Sequence, residues 1–237
     1  MKLGPYILGP TEDEHQGIYT GDARELAPAI PDESVDLVFT DPIYQNIDDY
    51  RWLAETAARV LKADKACLAW YGIRYLDEVI PALCSNGLHY RWNNVVRIVA
   101  RQKKAYCAMG WSFYMGLLWV EKGRMKARRS RDLITVPFRE NRQHPQYAHS
   151  WGKSRRATSE WVSAFSKTGD IVIDFFVGES APVPAVCKIL GRHWLAFEII
   201  PETAELARKM VRNTQPPLPG LNVEQLSLTN IHLDQRR

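Results

Sequence analysis

Long apolar runs are missing from these 237 residues. None approaches the roughly 18 consecutive apolar residues of a membrane helix, so no membrane partner is expected. The opening stretch "MKLGPYILGPTEDEH" has neither a long apolar region nor a small-residue cleavage site, and no signal peptide is expected from it. Cysteine is sparse, with Cys67, Cys84, Cys107 and Cys187 standing apart and no CxxC spacing among them. Scattered thiols in apolar surroundings fit free, buried side chains in a reducing cytoplasm better than a disulfide framework. His144 and His149 lack any partner at metal-ligand spacing, so no metal is expected. GxGxxG is absent too, which leaves a nicotinamide-dependent oxidoreductase with little support. There is no internal repeat and no low-complexity tract.

What is present suits a folded domain. Hydrophobic residues make up 46% of the chain, which excludes disorder over its whole length. The length is within reach of one α/β domain. Past an arm at 1–17 with little periodicity, "IYTGD" and "VDLVF" alternate as strands, with a short helical piece between them. A helix is predicted over 48–61, where Trp52, Ala57, Val60 and Leu61 recur at helical spacing. "ACLAW" reads as a strand, 75–84 as a helix, and "YRWNNVVRIVA" and "SFYMGLLWVE" as two longer strands. Then come a helix over 158–165, the strand "DIVIDFF", a helix over 182–190, the strand "HWLAFEI" and a helix over 201–212. Strands that alternate with helices predict an α/β fold over 18–213, a mainly parallel twisted sheet with helices on both faces. Prolines after the last helix stop it, and the tail at 214–237 is expected to be peripheral.

Charge is uneven although the net value is only +4. "KGRMKARRSR", at 122–131, holds six basic residues and no acid, and Arg139, Arg142, Lys153, Arg155 and Arg156 follow. A solvated charged face is the plain alternative; the continuation of the bases favours phosphate contacts. Acids, in turn, gather where strands end. Ligands of open parallel sheets sit beyond the carboxyl ends of strands, and "FTDPIY", "IDFFVGES" and "AFEI" each put an acid at such an end. Asp41 is either a turn residue that caps the next helix or a catalytic tool. Glu198, roughly twenty residues past a Gly-containing strand–turn–helix, holds the place of an acid that binds ribose hydroxyls.

Together these segments resemble the circularly permuted class β of amino-methyltransferases, which act on adenine N6 or cytosine N4 in DNA. "YTGDARELAPAIPDESVDLVFTDPIY" is similar to that family's opening through its GDA, SVDLVF and TDP portions. "HSWGKS" stands where an HPxQKP-like segment belongs, "DFFVGES" where the DPFxGSG donor loop belongs, and "GRHWLAFEIIPETAELARKMV" matches the strand and helix that follow. The likeness runs from Ile18 to Arg212.

The resemblance implies a Rossmann-like methyltransferase fold and S-adenosylmethionine as donor. It implies that Asp41 and the Pro42 carbonyl accept the amino hydrogens of a flipped base, while Tyr44 stacks on it. It places Asp22 and Ala23 near the donor's adenine, Glu198 on the ribose, Asp174, Phe176, Gly178 and Glu179 along the methionine, and Lys153 at the donor's carboxylate. Phe176 is read either as a wall of that pocket or as core. Target recognition is expected at 122–146, with Lys122, Arg124, Lys126, Arg128, Arg129, Arg131 and Arg155 meeting DNA. An Asp-first turn favours adenine N6; cytosine N4 and a catalytically weak nucleic-acid-binding scaffold are the alternatives. Homodimers that enclose DNA, the cytoplasm of a bacterium or phage-infected cell, and a restriction–modification setting are further implications. Three departures stand out: DPPY has become DPIY, both prolines of HPxQKP are gone, and Phe175, Glu179 and Ser180 replace proline, serine and glycine in the donor loop. Losing that glycine is expected to crowd the methionine moiety or redirect the loop, unless an altered donor is used.

Overall fold

The computed structural model describes residues 1–99, 103–104, 111–112, 114–126, 132–137 and 153–215. Cys107, Arg128, Arg129, Arg131, Arg139, Arg142, Trp151, both central histidines (His144 and His149) and most of the tail lie outside the described residues.

In chain order the elements are β1 (Lys2–Leu3), β2 (Tyr6–Ile7), β3 (Ile18–Thr20), α1 (Ala23–Leu26), β4 (Val35–Thr40), α2 (Ile47–Val60), β5 (Leu61–Tyr71), α3 (Leu76–Leu83) and β6 (Leu88–Val99). There follow β7 (Lys103–Lys104), β8 (Trp111–Ser112), β9 (Tyr114–Lys122), β10 (Leu133–Pro137), α4 (Arg155–Phe165), β11 (Ile171–Asp174), α5 (Pro182–Leu190), β12 (His193–Glu198) and α6 (Pro201–Asn213). Eight strands form one sheet in the order β10-β6-β9-β5-β4-β11-β12-β3. β9 alone runs against its neighbours; the other pairings in that sheet are parallel.

Alternation along the central strands sends side chains to two separate cores. Cys67, Ala69 and Tyr71 of β5 pack with Leu53, Ala57 and Val60 of α2 and Val79 of α3 on one face. Ala66, Leu68 and Trp70 pack on the other with Trp161 of α4, Val186 of α5 and Val211 of α6. α2 forms because its apolar residues recur at helical spacing while Arg51 and Glu55 point to solvent. Among the described residues no helix is long and apolar enough to cross a membrane. Cys67 and Cys187 are buried free thiols, and burial pushes both upward in pKa.

Two segments differ from the sequence reading. The arm at 1–17 is bound into the body: Leu3, Tyr6 and Leu8 are buried, and Gly9 bridges to Trp194. Two-residue strands carry no period to detect. β10 falls inside the segment expected to read DNA, as an edge strand parallel to β6.

The chain leaves β4 through α2 to reach β5 on one side, and leaves β11 through α5 to reach β12 on the other. β4 and β11 are neighbours, so their carboxyl ends form a topological switch point, where the covering helices part and leave a crevice.

Candidate active site

Four adjacent parallel strands, β4, β11, β12 and β3, end within two residues of an acid: Asp41, Asp174, Glu198 and Asp22. A cavity of about 300 Å³ opens over the first two of these ends. Its walls include Thr40, Asp41, Trp70, Lys153, Asp174, Phe176, Gly178, Glu179 and Ser180. Residues from "FTDPIY", "HSWGKS" and "DFFVGES", far apart in sequence, therefore share one chamber.

Asp41 leaves the end of β4 in the irregular stretch before α2. It caps no helix: the N-cap of α2 is Asn46, without a side-chain cap bond. Its Oδ2 accepts a hydrogen bond from the Lys153 ammonium, while its Oδ1 is buried and has no hydrogen-bond partner among the described residues. A buried acceptor left unmet costs free energy on the order of 1–3 kcal/mol, so its persistence marks a place where a ligand's donor would be welcome. Pro42 is buried and Ile43 is 58% exposed. Tyr44 lies against Gly72, where an added Cβ would stand 2.9 Å from the Tyr44 Cβ. Burial, then the neighbouring Asp41 charge, then the pull of that carboxylate on the hydroxyl proton push the Tyr44 hydroxyl well above its ordinary pKa, so the ring is neutral.

Thr40 joins the two halves of the crevice. Its hydroxyl donates to Asp174 Oδ1 at 2.7 Å and accepts from the Phe175 and Phe176 amides at 3.1 and 3.2 Å. The Phe176 amide also donates to Asp174 Oδ1 at 3.1 Å. The Asp174 carboxyl is pushed up to about 7, chiefly by burial; the bonds from Thr40 and Phe176 work against the rise, and the charges of Asp41 and Glu198 add to it.

The "DFFVGES" loop turns without a glycine at 180. Left-handed backbone falls on Gly178 (φ 59°) and Ala181 (φ 39°), not on Ser180. A Cβ at Gly178 would meet nothing within 4 Å, so the loop there faces open space. Pro182 and Pro184 occupy the first turn of α5, where their missing amides cost nothing. The Gly178 amide donates to Glu198 Oε2 and the Ile200 amide to Oε1, both at 3.0 Å. Each oxygen retains a lone pair toward solvent. Asp22 caps α1 by accepting from the Arg24 amide at 2.8 Å, and Gly21 beside it donates to the Glu198 carbonyl at 2.9 Å. Ala23 is buried in the core. Phe176 both lines the chamber and packs against Trp52, at 5.9 Å between rings, so wall and core coincide.

The basic residues separate. Arg155 begins α4, two positions past Lys153, at the crevice end of the sheet. Lys122, and with it Arg124 and Lys126 just beyond β9, stands toward the other end of the sheet. β9 is antiparallel to β5, and Lys122 pairs with Lys65 near the start of β5, whereas the chamber lies past its end. Lys122 is taken up by Glu33 Oε1 at 3.1 Å and the Leu61 carbonyl at 2.9 Å, and the Arg124 amide by Asp64 Oδ1 at 2.8 Å. Six residues of strand, roughly 20 Å, separate this end from the crevice; the exposed Lys126 is only two residues further on.

Thr40, Trp70 and Gly72 were not singled out from sequence. The available signal was position, since each stands within two residues of the carboxyl end of a central strand. Among the described residues no cluster of His, Cys, Asp or Glu could hold a metal ion.

No protein-family model matches the chain. Among curated proteins, the type II methyltransferase M.BamHI of Bacillus amyloliquefaciens is 23% identical in an alignment of 250 positions that covers 83% of this chain. The chain spans 57% of that relative's length. Among solved structures, the M1.HpyAVI–SAM complex aligns with a TM-score of 0.70 at 21% identity, over 82% of this chain and 98% of that one. PvuII DNA methyltransferase, cytosine-N4-specific, aligns with a TM-score of 0.70 at 16% identity, over 91% of this chain and 90% of that one. What this chain has in common with these proteins is architecture: a mostly parallel eight-stranded sheet between helical layers, the Rossmann-like methyltransferase fold.

Proposed function

We propose that this protein is an S-adenosylmethionine-dependent DNA methyltransferase that modifies the exocyclic amine of a flipped base, adenine N6 in preference to cytosine N4. The observation that carries the reading is the buried Oδ1 of Asp41, which no described donor meets at hydrogen-bond distance, held in one chamber with Asp174 and Gly178.

The residues fit the donor. Asp174 and Glu179 offer carboxyl groups to a cationic methionine moiety, Gly178 leaves room for it, and Glu198 and Asp22 lie along the next two strand ends for the ribose and adenine. Bound there, S-adenosylmethionine supplies an activated methyl group. The protein's own work is on the acceptor. An aromatic amine is a poor nucleophile because its lone pair is delocalised into the ring. Asp41 Oδ1 accepts one amino hydrogen as a charge-assisted bond, and the Pro42 carbonyl, aimed by the fixed proline φ, accepts the other. Both bonds favour a tetrahedral nitrogen. Tyr44 offers a neutral π-face, a contact of roughly 1–3 kcal/mol per base. Cytosine N4 is the second reading, favoured by the 91% coverage of this chain in the alignment with a cytosine-N4-specific enzyme.

The test is direct. The parent and an Asp41→Ala variant are incubated with labelled donor and mixed-sequence DNA, and the digested nucleosides are identified by mass spectrometry. The parent is expected to yield N6-methyldeoxyadenosine and the variant at least about a hundredfold less, the scale of losing one charge-stabilising group. Equal yields would remove Asp41 from the chemistry. N4-methyldeoxycytidine would establish the second reading.

A further inference from the structure

Lys153 does more in this crevice than the resemblance assigns to it. Its side chain is only 6% exposed and its ammonium is bonded to Asp41 Oδ2. The same nitrogen lies 5.3 Å from the centre of the Tyr44 ring and 5.5 Å from that of Trp70, within reach of both π-faces. Its backbone is anchored as well. Ser154 caps α4 by accepting from the Ala157 amide at 3.1 Å, and its carbonyl accepts from the Thr158 hydroxyl at 2.8 Å.

A carboxylate has two equivalent oxygens and a broad, two-fold terminal torsion, so an unrestrained Asp41 would present its acceptor over a wide arc. Lys153 removes that freedom on one side only. A compact ammonium takes one oxygen, whereas a guanidinium would cover both. Resting on the reading above, we propose that Lys153 is a positioning residue: by pinning Oδ2 it fixes the Asp41 carboxylate so that Oδ1 is offered to the incoming amino group. It also keeps the half-buried charge of Asp41 compensated, which an apolar neighbour could not do. The two rings that hold the lysine make the arrangement rigid, and one of them belongs to the same turn as Asp41.

A kinetic cycle tests this with the full chain. Lys153→Met, Asp41→Ala and the double variant are compared for single-turnover methylation on the DNA that the parent modifies, while calorimetry measures donor affinity. Lys153→Met is expected to lower the methylation rate by about a hundredfold, the scale of a misplaced catalytic group, with donor affinity within threefold of the parent. In the Asp41→Ala background the same change is expected to cost nothing further, because the two residues act as one unit. If Lys153→Met fails to fold, Lys153→Gln replaces it in the same cycle. Weakened donor binding at an unchanged rate would assign Lys153 to the donor's carboxylate and overturn the proposal. Independent, multiplying losses would overturn it too. An active parent matched by Lys153→Met defeats this inference alone, whereas a parent that modifies no nucleoside defeats the functional reading beneath it.

Discussion

Asp174 is a carboxyl that holds its proton close to neutrality. Its ordinary value is 3.8 and burial carries it to about 7, so between those pH values the folded protein binds a proton that the unfolded chain releases. That contribution to stability is complete at the acid end and is lost as pH rises toward about 7. Subtracting the melting curve of Asp174→Asn from that of the parent, from pH 5 to 8, is expected to show the parent losing ground steadily and then levelling off. A flat difference would mean that the side chain is already ionised. A cationic ligand favours the charged form, so donor affinity is expected to fall as pH drops below about 7, by at most about tenfold per unit. Calorimetry at pH 6 in buffers of different ionisation enthalpy checks this through the proton released on binding. Gly72 makes a second prediction at this scale. The methyl of Gly72→Ala would stand 2.9 Å from the Tyr44 Cβ and 3.2 Å from its ring, closer than packing allows. The ring must move, and methylation is expected to slow by on the order of tenfold with donor affinity unchanged. The acids were legible in sequence because acid, proline and aromatic stood together at a strand's end. Gly72 was not, because a glycine's reason lies in what packs against it.

At the scale of elements, the site depends on how a few segments begin and end. α4 starts at Arg155, three residues earlier than periodicity suggested, because Ser154 supplies the cap and Lys153 is held at the cleft. Ser154→Ala is expected to cost about 1 kcal/mol, the usual value of such a cap, which a thermal melt would register as a fall of about 2–4 °C for a domain of this size. The "DFFVGES" loop shows what a residue-by-residue match omits. The loss of a glycine at Ser180 predicts a crowded or redirected loop, and the left-handed angles fall on Gly178 and on Ala181, a residue with a side chain. Which residue of a turn takes the left-handed angle is decided by the neighbouring strand and helix, and no residue-by-residue match to a motif contains that. The long, periodic elements were readable. β10 was not, since "LITVP" is short and follows a run of arginines.

Across the whole molecule, strand direction sorts the basic residues into two groups that the linear sequence mixes. Tyr71 of β5 pairs with Gly116 of β9, and Gly116 with Val95 of β6, so the remaining residues of β6 extend beyond the end of β5 on the crevice side. Lys103 and Lys104 follow Val99 by only a few residues and are tethered within roughly 14–18 Å of it. DNA engaged at the crevice is therefore expected to feel these two and to ignore Lys122 and Arg124. Titration with the modified DNA over a range of salt checks this. Replacing Lys103 and Lys104 by Ala is expected to reduce the salt slope by about 2, at roughly 0.9 per phosphate contact, while the Lys122/Arg124 pair leaves it unaltered. The reverse result would move the DNA to the other end of the sheet. One side chain gives the molecule its internal economy. Thr40 is bonded to Asp174 and is covalently next to Asp41. A proton arriving on Asp174 therefore has a single amino acid to cross before its effect is felt at Asp41, and a change in one carboxyl is expected to disturb the other.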